Sequence, residues 1–312
     1  MINPERPPHG FDDAEFEKRL ALAQSRLRAD ELDALVVTSA PNVRYFSGFN
    51  TQFWESPTRP WFIVVPAEGE IIAVIPEIGA PGMGSTWVKD IRTWMAPSPE
   101  DDGVSLLSSV LAGLPSRFGR VGWEMGRESV IRMPINDFDE LRRRAGNVEF
   151  ADGSPAIWAL RGIKSEAEID RLRYVCQIAS SAFEMLPERL RIGDTEFDAS
   201  RKTRIELAEQ GADSSPFVAV VSGPAGYDQC IVGPSERVLA DGDILFIDLG
   251  ATYDGYFCDF DRNFAFGHLD DAARRCHEAV WDATQAGIAA ARPGATTTGV
   301  FEAMAKVLEA AG

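Results

Sequence analysis

The feature that most constrains the fold is a pair of apolar runs joined by the dipeptide Asp254-Gly255. Residues 244–247 are typical of a buried strand, and a second strand-like run, residues 256–266, follows the dipeptide. An Asp-Gly pair between two such runs favours a two-residue type I′ turn, because both central residues need a positive φ. The sequence therefore predicts an antiparallel hairpin whose register is set by this turn.

The turn fixes which side chains of the hairpin share a face. It places Asp248 opposite Asp261, and it places Asp259 opposite Gly250. Because side chains alternate between the two faces of a strand, the three Asp side chains fall on one face. As diagonal neighbours, Asp248 and Asp259 would lie roughly 7 Å apart at the backbone, so their carboxylates can converge on one point.

Three carboxylates on one face repel each other and lose hydration when they are buried. They stay ionised only where a cation or hydrogen-bond donors compensate for that cost. Hard divalent metals prefer such oxygen ligands, and a two-metal site can share carboxylates between its ions. The pattern thus favours a metal site. The alternative interpretation is a solvated face on an edge hairpin, with Arg262 as a nearby counter-ion.

The hairpin resembles the "pita-bread" metallohydrolases, which include aminopeptidase P, prolidase, methionine aminopeptidase and the related creatinases. The resemblance rests on Asp248-x-Gly, on the Gly-Tyr after the turn, on Asp259 eleven positions after Asp248, and on Arg262. It implies that Asp248 and Asp259 bind two divalent metal ions (Mn, Co or Zn). It also implies catalytic roles for Asp261, which would orient ligands or substrate, and for Arg262, which would support it.

Composition narrows the possible partners and the compartment. The net charge is −17 and no basic patch appears, so the sequence predicts no nucleic-acid binding. The same acidity argues against anionic membranes, and the sequence contains no stretch of about 18 apolar residues that could span one. Four cysteines without Cys-x-x-Cys spacing are typical of reduced thiols, which predicts a cytoplasmic protein.

The 312 residues are enough for two domains. Strands alternate with helices in the first half, which favours a mixed α/β layer, and the pattern Asn42-x-x-Tyr45-x-Ser47 resembles the creatinase and prolidase N-terminal domain. Ser165 with Glu168 forms a capping box that resembles the opening of the catalytic domain. The predicted fold is therefore an α/β creatinase-like domain (residues 1–155) followed by an α+β pita-bread domain (residues 156–312).

The resemblance also suggests how substrate is bound. The run Arg59-Pro60-aromatic looks like the creatinase loop that reaches across a dimer to the substrate of the neighbouring subunit. This implies a homodimer in which the planar Arg59 guanidinium binds a substrate carboxylate. The sequence departs from the family at Ile231, where a His that contacts substrate or shuttles protons is usual. Tyr227, predicted to bind substrate, and Asp228 are the candidates to replace it.

The family completes its metal site with one His and two Glu from strands that follow the last helix of this sequence. We therefore expect residues 1–312 to be a C-terminally incomplete form of a longer enzyme, and a short metal-free protein is the alternative. The implied function is metal-dependent hydrolysis of a C–N bond, with a dipeptide of the Xaa-Pro type or a related small amide as substrate. The alternatives are a creatinase-like amidinohydrolase, another small-molecule hydrolase of the family, or a non-catalytic member.

Overall fold

The computed structural model describes residues 5–56, 58–224 and 226–312. These residues form two compact units, one of residues 7–169 and the other of residues 170–312 together with residues 5 and 6. Compact units do not by themselves define evolutionary domains, so the predicted domain boundary between residues 155 and 156 stays a prediction. Within the described residues, no helix is both long and apolar enough to cross a membrane.

The first unit is built on a mixed sheet that has six strands in the described part of the chain, in the order β4-β3-β2-β1-β5-β6. The neighbours β1/β2 and β2/β3 are antiparallel, and the other pairs are parallel. The strands are β1 (Ala34–Val37), β2 (Phe62–Pro66), β3 (Ile72–Pro76), β4 (Asp90–Trp94), β5 (Arg120–Trp123) and β6 (Glu149–Asp152). The helices are α1 (Asp13–Ala29), α2 (Ala40–Ser47), α3 (Ala80–Gly84), α4 (Val104–Ala112), α5 (Ile135–Arg144) and α6 (Ser154–Gly162), with short 3-10 turns at Gln52–Glu55 and Glu77–Gly79.

Both faces of this sheet are covered. Leu35 and Ile63 point to a core that they share with residues of α1, α2 and α6. Val36 and Val64 point to a second core, shared with residues of α4 and α5. This explains why β1 and β2 are continuous apolar runs, since a strand covered on both faces cannot alternate with polar residues.

The ends of the first helices follow from local chemistry. Helix α1 begins after Asp12, whose side chain accepts a hydrogen bond from the Glu15 backbone N–H at 3.0 Å. Helix α2 ends at Gly48, which has φ 74° and lies so close to Phe16 that a Cβ would be 2.8 Å from the ring. Glycine is therefore required there for conformation and for space.

The second unit contains an antiparallel sheet in the order β7-β8-β9. Its strands are β7 (Val218–Pro224), β8 (Asp243–Tyr253) and β9 (Tyr256–Ala265). The helices are α7 (Glu166–Arg189), α8 (Glu196–Glu209), α9 (Asp271–Ala290) and α10 (Thr297–Ala311). The predicted capping box at the start of α7 is formed: the Ser165 N–H donates to Glu168 Oε2 at 2.9 Å, and the Glu168 N–H donates to Ser165 Oγ at 3.2 Å.

One face of the β7-β8-β9 sheet packs against helices. Leu245, Ile247 and Leu249 join residues of α7 and α8 in a single core. On the other face, Asp248 is half-buried, and the side chains that β9 contributes, such as Asp259 and Asn263, are exposed. This sheet therefore has one covered face and one open face among the described residues, as is common for antiparallel sheets.

The hairpin turn is as predicted. Asp254 and Gly255 have φ values of 50° and 78°, the positive values of a type I′ turn. Asp254 is buried, and its Oδ2 accepts a hydrogen bond from Arg171 Nε of α7 at 2.7 Å. Its backbone N–H donates to Asp213 Oδ2 at 2.7 Å. The turn is thus anchored by an ion pair that is distant in sequence as well as by its own backbone preference.

Candidate metal centre

Three aspartates lie on the open face of the β8-β9 hairpin. The observed pairs are Asp248 with Asp261 and Gly250 with Asp259, which confirms the predicted register. Asp248 is half-buried, and Asp259 and Asp261 on strand β9 are exposed. The carboxylates therefore share a face as expected, but this face is more open to solvent than a buried hairpin would be.

The electrostatics of this face centre on Asp248. Its burial, and next the neighbouring Asp259 carboxylate, raise the pKa of Asp248 above its usual value. Asp261 raises the pKa of Asp248 further by a smaller amount. The pair therefore carries negative charge that is not fully compensated, which is the condition that favours a bound cation.

The donor chemistry of this pair fits a hard divalent ion, because two carboxylates supply oxygen ligands and cancel its charge. In residues 5–56, 58–224 and 226–312, no group of three or more His, Cys, Asp or Glu side chains is arranged to hold a metal. Asp248 and Asp259 are thus a pair of ligands, and Asp261 lies beside them on the same face. The structure brings together both residues that the sequence predicted as metal ligands.

Aromatic rings border the carboxylates on the side of Gly250. The ring centroids of Phe217 and Phe257 are 6.3 Å apart. A Cβ on Gly250 would lie 2.6 Å from the Phe257 ring and 2.7 Å from the Phe217 ring. The glycine therefore lets two rings close over the strand between Asp248 and Asp259, which gives the face an apolar border.

Tyr227 lies on the other side of the carboxylates. Its ring centroid is 4.9 Å from that of Phe246. Burial is the main cause that raises the pKa of Tyr227, the nearby Asn263 side chain opposes this rise, and Asp261 adds to it. The structure thus brings Tyr227 near Asp261. Sequence reasoning missed Asn263, although it lies two and four positions from Asp261 and Asp259 on β9 and therefore shares their face.

Arg262 lies on the opposite face of β9, since it pairs with the core residue Ile247. Its guanidinium carbon is 5.4 Å from the Phe260 ring centroid and 5.6 Å from that of Phe183. Its Nη1 donates to the Asp261 backbone carbonyl at 2.5 Å. Arg262 therefore contacts Asp261 through the strand backbone, and not as a counter-ion on the carboxylate face. Its catalytic role stays a prediction.

Arg59, the predicted substrate-binding residue, belongs to the first unit. It has φ 58°, an unusual value for a residue other than glycine, and its guanidinium lies 6.0 Å from the Phe53 ring centroid. Arg132 holds this loop: it donates to the carbonyl of Phe53 at 3.0 Å, of Arg59 at 3.2 Å and of Trp54 at 3.4 Å. Sequence reasoning missed Arg132, because carbonyl acceptors have no sequence signature.

Ile231 occupies the position at which the resemblance places a His. Its side chain is 92% exposed. An apolar side chain exposed to this degree neither transfers a proton nor donates a hydrogen bond, so this position lacks the chemistry of a general acid or base. Tyr227 is the hydrogen-bonding residue that the structure places near the aspartates.

Comparison with known proteins shows similarity over most of the chain. Residues 170–312 match the model of metallopeptidase family M24, and residues 19–163 match the model of the Creatinase/Prolidase N-terminal domain. The chain is 29% identical to the "Probable dipeptidase PepE" of Mycobacterium tuberculosis, over 97% of this chain and 77% of that protein. It is 26% identical to the "Xaa-Pro dipeptidase" of Pyrococcus horikoshii, over 86% of this chain and 69% of that protein.

A solved structure shows the same fold. The crystal structure of dipeptidase PepE from Mycobacterium ulcerans superposes with a TM-score of 0.79 and 27% sequence identity, covering 97% of this chain and 78% of that one. The expected creatinase-like domain and pita-bread domain are thereby confirmed. Residues 170–312 are therefore a metallopeptidase family M24 domain, residues 19–163 are a creatinase/prolidase N-terminal domain, and the protein is an enzyme of the hydrolase class.

Proposed function

We propose that this protein hydrolyses the C–N bond of a dipeptide, with Xaa-Pro dipeptides or a related small amide as substrate, and that it does so with two divalent metal ions. The observation that carries the proposal is the strand register, which makes Asp248 and Asp259 diagonal neighbours on one face of the sheet. Similarity to the Xaa-Pro dipeptidase of Pyrococcus horikoshii supports the substrate class. Mn, Co and Zn are the candidate ions.

In this proposal, Asp248 and Asp259 hold the ions. When bound, divalent ions supply Lewis-acid chemistry and a water that ionises near neutral pH. Strands β8 and β9 fix the spacing of the two ligands, because the hairpin ladder determines which residues are diagonal neighbours. Asp261 lies directly opposite Asp248 and is placed to orient a ligand or the substrate on the same face.

Tyr227 and Asn263 would bind the substrate beside these carboxylates. The Tyr227 phenol keeps its proton at neutral pH, as an ordinary tyrosine does, and its raised pKa keeps it protonated at higher pH as well, so it can serve as a hydrogen-bond donor. The Asn263 amide, which lies near this hydroxyl, would add a second donor and acceptor. Phe217 and Phe257 would exclude water on the other side, which strengthens hydrogen bonds and charge interactions at the reacting bond.

The proposal includes a homodimer. Arg59 of one subunit would bind the carboxylate of a substrate held by the other, and Arg132 would keep the Arg59 loop in shape through its bonds to backbone carbonyls. Sedimentation equilibrium of the natural protein tests this assembly. A cytoplasmic location, which suits the free cysteines, is also part of the proposal.

The test is a matched pair of variants of the natural protein, Asp248→Asn and Asp282→Asn. Asp282 is an exposed residue of α9, so its variant removes the same charge away from the candidate centre. Mn²⁺ at about 100 times its Kd should stabilise the parent and Asp282→Asn by about 2.7 kcal/mol. Asp248→Asn should lose this stabilisation together with hydrolysis of an Xaa-Pro dipeptide. A variant that lacks Asp248 and still turns over substrate would refute the metal assignment.

A creatinase-like amidinohydrolase is the second candidate, and the exposed Ile231 favours it. The loss of the usual His removes a group that the peptidases of the family are expected to need. Creatinases, however, act without metal and do not keep both Asp ligands. Activity on creatine that persists with a chelator would select this candidate, whereas chelator-sensitive activity on Xaa-Pro dipeptides would select the peptidase. Turnover of neither substrate would point to another small-molecule hydrolase of the family.

A further inference from the structure

A cavity of about 470 Å³ lies in the first unit, between helix α1, helix α6 and the segment that follows α6. All the residues that line it belong to residues 7–169, and none of them is a residue of the candidate metal centre. Its apolar lining comes from both helices and includes Leu22 on α1, Leu160 on α6 and Ile163 just after α6. Cavities of roughly 300–1,000 Å³ with apolar walls and a few polar groups are typical of small-molecule sites.

Two of the apolar side chains that line this cavity are open to solvent. Leu22 is 51% exposed and Ile163 is 84% exposed. Both are large aliphatic side chains, and transfer of their surface out of water is favourable in proportion to the area covered. An aliphatic group of a ligand that covered these two side chains would therefore gain binding free energy.

Ion pairs occupy the inner part of the cavity, where the side chains are buried. Arg19 is 3% exposed, and its guanidinium lies 3.0 Å from the Glu15 carboxylate and 3.6 Å from that of Glu168. It also donates to the Tyr45 carbonyl oxygen at 3.0 Å. Both acidic side chains of the lining are thus paired with Arg19, and a cationic ligand would have to compete with that buried guanidinium for them.

Two lysines place positive charge at the solvent side of the cavity. Lys18 lies on α1 and Lys164 follows α6, so each of the two helical walls contributes one exposed ammonium group. Within residues 5–56, 58–224 and 226–312, neither group has an ion pair or a hydrogen bond. The remaining basic residue of the lining, Arg26, is paired with Asp30 at 2.7 Å. The cavity therefore offers two uncompensated cations beside exposed aliphatic surface, on a chain whose net charge is −17.

We propose that this cavity binds a small amphipathic carboxylate, a molecule with one carboxylate group and an unbranched aliphatic chain. Lys18 and Lys164 would attract the carboxylate, and the chain would cover Leu22, Leu160 and Ile163. The inference goes beyond the proposed hydrolysis and does not rest on it, because the two sites share no residue. A failure of either proposal consequently leaves the other untouched.

The probe is octanoate, and its binding to the natural protein is measured by isothermal titration calorimetry. Two comparison ligands separate the parts of the probe: acetate carries the charge without the chain, and 1-octanol carries the chain without the charge. Octanoate should saturate a single site and bind more tightly than either of them. Added salt should weaken its binding, because the two ammonium groups are exposed and their charge is screened.

Matched variants locate the site. The double variant Lys18→Gln/Lys164→Gln should weaken octanoate binding about threefold to tenfold, since two exposed charge interactions are lost. Lys89→Gln removes an exposed lysine outside the cavity and should leave the affinity unchanged. Leu22→Gln should also weaken binding, whereas Met95→Gln, at an exposed apolar residue outside the cavity, should not. All of these side chains are exposed, so the variants should fold, and thermal denaturation checks that they do.

Three results would overturn the inference: no saturable binding of octanoate, equal binding of octanoate and 1-octanol, or unchanged binding in the double lysine variant. Sedimentation of the same samples tests another occupant. Self-association that Leu22→Gln abolishes and that octanoate does not affect would assign this face to a second copy of the chain and would also overturn the inference.

Discussion

The two sheets of this molecule differ in how many of their faces are covered by helices. The six-stranded sheet of residues 7–169 is covered on both faces by helices. The β7-β8-β9 sheet is covered on one face, and its other face carries three carboxylates and a tyrosine. The sequences of their strands look alike, since residues 62–66 and 244–247 are both apolar runs. Among the described residues, what differs is the cover on the second face, and the candidate chemistry lies on the face that these residues leave open.

The comparison shows that the energetic cost of placing an ionisable side chain on a sheet depends on whether that face of the sheet is covered. A carboxylate at the position of Val64 would lie in a sealed apolar core and would pay the full cost of lost hydration. Asp248 instead lies on a face that water and ions reach, so burial raises its pKa without forcing it to stay neutral. Such an intermediate environment suits a residue that exchanges a proton for a cation.

The largest effect should come from the anchor of the hairpin turn. Asp254→Asn keeps a residue that accepts positive φ but removes the carboxylate facing buried Arg171. We expect a loss of about 3–5 kcal/mol in the free energy of unfolding, measured by urea denaturation. The control is Asp170→Asn, whose exposed pair with Arg173 contributes less than about 1 kcal/mol. Equal losses in the two variants would mean that the ion pair does not anchor the turn.

Truncating one side chain in each sheet tests the difference in cover directly. Leu35→Ala removes a fully buried side chain of the first sheet and should cost about 2–5 kcal/mol. Phe257→Ala removes a ring from the open face, where it is 43% exposed, and should cost about 1 kcal/mol despite the larger volume lost. Denaturant unfolding of both variants measures the two losses in free energy of unfolding. A larger loss for Phe257→Ala than for Leu35→Ala would contradict the comparison.

Two glycines sharpen the comparison further. A Cβ on Gly153 would meet Leu35 Cδ1 at 2.5 Å and the Trp123 backbone nitrogen at 3.0 Å, neither of which has room to move. Gly153→Ala should therefore cost about 1–3 kcal/mol. A Cβ on Gly250 meets two rings at the open face, and the exposed Phe257 can swing away. Gly250→Ala should cost less in thermal denaturation, and a larger loss than for Gly153→Ala would argue that the rings are fixed.

The smallest expected effect is the pH dependence of the stability of the first unit that arises from Asp33. Burial alone would raise the pKa of Asp33, but the backbone N–H groups of Phe118, Arg117 and Gly119 donate to its carboxylate and hold the pKa below its usual value. With a lowered folded-state pKa, this stabilisation is complete above the unfolded value of about 3.9 and is lost as the pH falls through the folded value.

The measurement for Asp33 is the free energy of unfolding between pH 7 and pH 3. Asp33→Asn should flatten the acidic part of this curve, because the variant has no carboxylate to protonate there. Asp139→Asn, an exposed position on α5, is the control and should leave the slope unchanged. An unaltered slope in Asp33→Asn would mean that other groups set the acid response.

Local patterns predicted part of this structure well. The antiparallel pairing of residues 244–247 with the run after Gly255 formed as predicted, since both strands and the turn are contained in one segment. The capping box at Ser165 and the Asp254-Gly255 turn formed for the same reason. Sequence reasoning did not predict helix α6, although Pro155 lies in its first turn, where proline is favoured. It also missed strands β4 and β6, which lie at the two edges of the first sheet.

By itself, the sequence determined the hairpin, its register and hence the common face of Asp248, Asp259 and Asp261, because turn conformation and side-chain alternation are local properties. It also carried the family resemblance that the comparisons confirm. Only the tertiary structure decided the contacts between distant segments, such as Arg171 with the turn, Tyr227 with Phe246, and Arg132 with the carbonyl groups of the Arg59 loop. These depend on how helices and loops pack on the sheet, and no spacing along the chain encodes that packing.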